Sequence, residues 1–245
     1  MRQYEAVIKV MEENGGYATL GFLYQNVLKA PGVGWKTKTP FASIRRIVQD
    51  GRFFFKIRPG LWALKSLEHK LPPDISAKAM ASHKERESFN HSYYQGLIVE
   101  IGNLKKFGTT VPAQDKNRLY LNKKLGELVN CKEFYNFSFD HVVRRAKTID
   151  VLWFNERKMP AYCFEVEHST DIQNSLLKFV ELQDFNSRFF IVADISRKRD
   201  FETKRSYTAF LPLSTRVEFL SYDKISDWHT KAHQLSILEE QSRLG

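Results

Sequence analysis

Apolar positions in the first fifty residues recur at helical spacing, and beyond residue 51 they alternate. Tyr4, Val7, Ile8 and Met11 predict an amphipathic helix over 2–14, stopped by Asn14-Gly15-Gly16. Leu20, Leu23, Tyr24, Val27 and Leu28 predict a second helix over 19–30, ended by Pro31-Gly32. A third is predicted over 41–49, with Ile44, Ile47 and Val48 inward, Thr39 as N-cap and Pro40 at the first helical position. Arg52–Ile57 then reads as a strand, Arg58-Pro59-Gly60 as a turn and Leu61–Lys65 as the return strand. Pro72-Pro73 stiffens a linker over 67–82.

The second part opens on a long predicted helix, 83–107, with Phe89, Tyr93, Leu97, Ile101 and Leu104 in its apolar phase. A short helix is expected over 119–129, and a strand or extended loop over 134–143. Two apolar runs, 148–154 and 162–168, flank the polar turn Asn155-Glu156-Arg157-Lys158 and read as an antiparallel pair. Thr170-Asp171-Ile172-Gln173 has the capping-box form and starts a helix carrying Leu176, Leu177, Val180 and Leu182. Phe189–Ala193 is fully apolar and reads as a central strand, so strand, helix and strand imply a parallel crossover. A helix over 200–210, a strand over 217–220 and a last helix from Ser226-Asp227 complete the pattern. The expectation is an α/β (α+β) domain over 83–245, a mixed sheet flanked by helices, behind a small three-helix and hairpin domain over 1–66.

Three carboxylates break the apolar runs. Asp150 sits in the first, and Glu165 and Glu167 sit in the second with one residue between them. Side chains alternate along a strand, so the two glutamates share a face with Cys163. A register that sets Asp150 beside Glu165 gathers all three. Burying such a group is costly without a cation, and hard oxygen ligands suit Mg2+. Glu100 intrudes beside the apolar face of the long helix and is a further candidate for the cluster, with Glu87 behind it. Arg144 and Arg145 precede the Asp150 run and are placed to hold a phosphate.

The net charge of +10 points to a polyanionic partner. Eleven basic residues face four acidic ones within the first 65, so the excess is concentrated there. Ser43, Arg45, Arg46 and Gln49 are the expected outward residues of the third helix, where Arg and Gln suit base edges. Lys36, Lys38 and Arg58 suit phosphates. Cys131 and Cys163 have no partner at metal-ligand spacing, which argues against a zinc site or a disulfide framework and for a reducing cytoplasm. No apolar run approaches a membrane span, and the N-terminus has no signal-peptide pattern.

The stretch TPFASIRRIVQDGRFFFKIRPGLWAL, Thr39 to Leu64, resembles the HARE-type winged-helix domain, which implies DNA binding. The order of Glu100 helix, Asp150 strand, Glu165-Val166-Glu167 strand, helix and apolar strand resembles the PD-(D/E)XK, restriction-endonuclease-like superfamily. It departs from that pattern at Ile149, where Pro is common, and at Glu167, where Lys is usual. The resemblance implies a Mg2+-dependent endonuclease of type II restriction type acting on double-stranded DNA. Asp150 and Glu165 would hold the metal. Glu167, or Lys178 from the following helix, would handle the attacking water. A homodimer is expected, because one site per chain serves one strand, and a cognate DNA methyltransferase is a possible partner. The rival readings are a DNA-binding regulator with an inactive nuclease-like domain, and a structure-selective repair nuclease.

Overall fold

A computed structural model describes residues 1–35, 37–72, 75, 83–168 and 171–243. Its contacts divide the chain into two compact units, 1–85 with 226–245, and 86–225.

The first unit contains α1 (Gln3–Glu13), β1 (Tyr17–Thr19), α2 (Leu20–Val27), α3 (Pro40–Val48), β2 (Phe54–Arg58) and β3 (Leu61–Leu64). β2 and β3 form the expected hairpin, and β1 pairs antiparallel with β3 to give the order β1-β3-β2. β1 is unexpected: three residues are too few to display alternation. Its last residue, Thr19, caps α2 by accepting the Phe22 amide at 3.2 Å, which places the helix start one residue later than expected. The core gathers Val7, Met11, Ala18, Leu23, Ile44, Phe54 and Leu64 from all these elements.

The second unit continues with α4 (His83–Leu104), β4 (Gly108–Thr110), β5 (Leu119–Tyr120), β6 (Lys123–Lys124), α5 (Leu125–Leu128) and α6 (Asp140–Ala146). It goes on through β7 (Val151–Phe154), β8 (Pro160–Glu167), α7 (Ile172–Val180), β9 (Arg188–Ala193), α8 (Lys198–Arg205) and β10 (Val217–Ser221). The mixed five-stranded sheet has the order β10-β9-β8-β7-β4. β4, β7 and β8 are antiparallel neighbours, and β8, β9 and β10 run parallel. One face carries Leu152, Cys163, Phe189 and Ile191, covered by Leu176 and Phe179 of α7 and Phe201 of α8. Trp153 lies on the opposite face, against α4. A side chain on Gly102 of α4 would meet the Trp153 indole at 2.7 Å, so only glycine lets helix and sheet approach this closely.

Several local expectations give way. The helix expected over 119–129 is a tight β5-β6 hairpin followed by the single turn of α5. Of the two alternatives for 134–143, strand or extended loop, the loop is found as far as Phe139, with Phe134, Tyr135 and Phe137 packed on the core, and α6 begins at Asp140. α8 ends at Arg205, and a 3-10 segment over Thr208–Leu213 replaces the rest of the helix expected over 200–210. The final helix, α9 (Tyr222–Arg243), starts four residues early, and from Ser226 onward it groups with the first unit. There Ile237 packs on the core, and a side chain on Gly21 would overlap the His233 ring, so α9 rests on α2. Among the described residues, no helix is long and apolar enough to cross a membrane.

Candidate functional site

β7 and β8 pair in the register Val151↔Phe164, Leu152↔Cys163. Continued by one residue, that register sets Asp150 opposite Glu165. Asp150 itself lies just before β7, so its side chain is free of the strand's alternation and bends over the sheet end. Its Oδ2 accepts the Val166 amide at 2.8 Å, and its own amide donates to Glu165 Oε1 at 3.4 Å. Glu165 and Glu167 are both buried, on the face shared with Cys163.

α7 brings the polar groups that answer them. Lys178 Nζ lies 2.7 Å from Glu165 Oε2 and donates to the Thr148 carbonyl at 3.1 Å. Ser175, one turn earlier, sets its hydroxyl against Glu167 Oε1 and 3.2 Å from Glu165 Oε2. Its single proton serves one of the two carboxylates at a time. Asp171 caps α7 by accepting the Gln173 amide at 3.0 Å. Thr170 of the expected capping box lies outside the described residues.

The electrostatics follow from this crowding. Burial, then the Asp150 charge, push the Glu165 pKa well above the usual carboxylate range, and Lys178 only partly offsets them. Burial pulls the Lys178 pKa down, but Glu165, Asp150 and Glu167 outweigh it, and the net shift is upward. Burial and the neighbouring carboxylates thus outweigh Lys178 at Glu165.

α4 supplies a second set. His91 Nε2 stands 3.6 Å from Asp150 Oδ1 and 4.0 Å from Asp115 Oδ2. Burial lowers the His91 pKa, but the two aspartates outweigh it and leave it above its ordinary value. Gln95, one turn on, donates from Nε2 to Asp115 Oδ2 at 2.9 Å and to the Asp150 carbonyl at 3.1 Å. Asp115 is buried and also meets Arg118 Nε at 3.0 Å.

The structure thus brings Asp150, Glu165, Glu167 and Lys178 together, and it does not bring Glu100 to them. The Glu100 carboxylate instead accepts the Tyr120 hydroxyl at 2.8 Å. Nine residues separate Glu100 from His91, and at about 100° per residue they sit on opposite sides of α4. Sequence reasoning missed His91, Gln95 and Ser175 and gave Asp115 no part in the site. The i, i+4 spacing of His91 and Gln95 was the available signal, but nothing local ties it to Asp150. Arg144 and Arg145 are exposed in the last turn of α6, six and five residues before Asp150.

In the first unit, Arg45, Arg46 and Gln49 are exposed along α3, and Lys38 is exposed just before it. With Gln234 and Leu238 of α9, these four border a groove of ≈ 840 Å³. Ser43 is less available than expected, because its hydroxyl turns back to the Thr39 carbonyl at 3.3 Å. Arg58 is half-buried at the end of β2. Lys36 lies outside the described residues.

Comparison with known proteins adds a family. Residues 65–242 match the family described as the type II restriction enzyme NmeDI C-terminal domain. The type II restriction enzyme NmeDI of Neisseria meningitidis serogroup C is 30% identical over 148 residues, which cover 54% of this chain and 42% of that relative. The chain therefore matches less than half the length of this relative. No solved structure matches significantly.

Proposed function

The chain belongs to the family of the NmeDI C-terminal domain, and on that premise we propose that it is a Mg2+-dependent endonuclease of type II restriction type, cutting double-stranded DNA. The observation that carries this reading is the Asp150–Glu165 pair, opposed across β7 and β8 with the Lys178 ammonium 2.7 Å from Glu165. The strand position where the PD-(D/E)XK pattern expects lysine holds Glu167, and the missing ammonium arrives from α7 instead. The mixed sheet with β8 at its centre, flanked by helices, is consistent with that superfamily.

The residues fit a divalent cation. The donors are hard carboxylate oxygens, with Glu165 and Glu167 buried, Asp150 half-buried and Lys178 the cation paired with Glu165. Asp150 and Glu165 would hold it. When bound, such an ion neutralises charge on the phosphate and acidifies water. The protein's own part is positioning. The Val166 amide fixes the Asp150 carboxylate, and Ser175 orients the two glutamates. Lys178, anchored by the Thr148 carbonyl, presents its ammonium to the attacking water or to a phosphate oxygen. Glu167 accepts the proton that the water gives up, directly or through Ser175. Arg144 and Arg145 hold flanking phosphates.

The front unit serves as the DNA reader. Three helices with a β-hairpin are consistent with a HARE-type winged helix, with α3 as the recognition helix and Arg45, Arg46 and Gln49 toward the bases. Cutting both strands requires two chains, so the active form is a homodimer, with a methyltransferase as the expected protecting partner. The test is digestion of methylated and unmethylated genomic DNA with Mg2+, sequencing of the ends, and a gel-shift assay on the same protein. Defined ends that vanish in Asp150→Ala and Glu165→Ala while binding persists support the nuclease. A wild-type protein that binds DNA and never cuts it makes the chain a regulator.

A further inference from the structure

Asp150 is shared between two settings, and the second does not involve the glutamates. His91 Nε2, one oxygen of Asp115 and one of Asp150 lie within 4.8 Å of one another. The His91 distances, 3.6 and 4.0 Å, are too long for hydrogen bonds. Around an ion with bonds of about 2.1 Å, neighbouring donors stand about 3.0–3.4 Å apart, so His91 would close on Asp150 by about 0.2–0.6 Å and on Asp115 by about 0.6–1.0 Å to hold a cation.

A separate observation points the same way. Gln95 is fully buried, and its amide nitrogen is committed to Asp115 and to the Asp150 carbonyl. Its Oε1 is buried with no hydrogen-bond partner. Flipping the amide would set that oxygen against the Asp115 carboxylate. A buried carbonyl left this way needs a donor or a cation. A cation held by the trio, with the water it draws in, satisfies Gln95 without disturbing the two bonds its nitrogen makes.

We propose that His91, Asp115 and Asp150 form a second cation site, selective for a first-row transition ion such as Mn2+ over Mg2+. The selectivity comes from the imidazole. Mg2+ prefers oxygen donors and its own waters, whereas Mn2+, Co2+ and Zn2+ accept a ring nitrogen readily. Arg118 holds the other Asp115 oxygen at 3.0 Å and fixes which oxygen faces the ion. The site rests on the nuclease reading only through Asp150, which both would use.

The test is Mn2+ binding to the full chain in excess Mg2+, followed by electron paramagnetic resonance. One Mn2+ per chain is expected to survive the competition, with nitrogen coupling that shifts on 15N-histidine labelling. Glu165→Ala should retain it, and His91→Ala should weaken it by at least roughly tenfold. Absence of nitrogen coupling in the wild-type protein overturns the proposal, and does so even if His91→Ala fails to fold. Equal affinity in a folded His91→Ala protein also overturns it, as does loss of all Mn2+ in Glu165→Ala. Mn2+ held through His91 in a protein that cuts no DNA would sink the nuclease reading and leave this site standing.

Discussion

Lys178 and Glu165 carry the proposed chemistry, and each makes a distinct prediction. Lys178→Ala leaves Glu165 without its cationic partner and, on the proposed mechanism, takes the ammonium away from the attacking water. Cleavage is expected to fall about 10²–10⁴-fold in single-turnover assays, with DNA binding retained; an unchanged rate would return the role to Glu167. Glu165 predicts a pH effect. Its folded pKa is raised, so the folded state favours the proton. The stability this contributes is complete below the unfolded carboxylate value, about 4.3, and is lost as pH rises through the higher folded value. A divalent cation replaces the proton. Ca2+ should therefore stabilise the fold more at about pH 8 than at about pH 5, by up to about 2.7 kcal/mol at a hundredfold excess over Kd, read as a larger rise in melting temperature. Glu165→Gln should abolish that difference. Asp150, Glu165, Glu167 and Lys178 were all legible from the chain, because acidic residues in apolar runs announce a burial cost that needs an answer. Ser175 was not, since a serine on a helix carries no comparable signal.

α4 and α3 are the elements on which placement depends. Gly102 leaves room for the Trp153 indole, and alanine there would bring a carbon within 2.7 Å of it. Gly102→Ala is expected to cost about 1–3 kcal/mol in chemical denaturation and to loosen the helix that carries His91 and Gln95. On α3, Arg45→Ala and Arg46→Ala should each cost about 1–3 kcal/mol of discrimination if they reach bases. If they reach phosphates instead, each should weaken all sequences alike and lower the salt slope by about one. Gel-shift titrations at several salt concentrations separate the two. Long helices and the β7-β8 pair were readable because their periods repeat. β1 and the β5-β6 hairpin were not, because two or three residues complete no period. Glu100 misled for a related cause: its place beside an apolar stripe leaves its direction open, and about half a turn separates it from the side of α4 that meets Asp150.

For the molecule as a whole, the +10 charge and the proposed single site per chain predict two chains on one duplex. Light scattering on an uncut complex in Ca2+ should give that stoichiometry, and one chain per duplex would point to a nicking or structure-selective enzyme. Residues 65–242 carry the family match and residues 1–64 lie before it, so the basic three-helix and hairpin segment accompanies the family domain. α9 complicates a simple division, since its sequence falls within the family match while its later turns pack on α2. The chain alone showed the two acidic strands and offered the register that opposes Asp150 and Glu165, while the bulge between Trp153 and Phe154 that sets this register came only with the fold. The convergence of His91, Gln95 and Asp115 on Asp150, and of Ser175 and Lys178 on the glutamates, emerged only with folding. Those contacts depend on how helices lie across a sheet, and that follows from packing between distant segments, which no local period encodes.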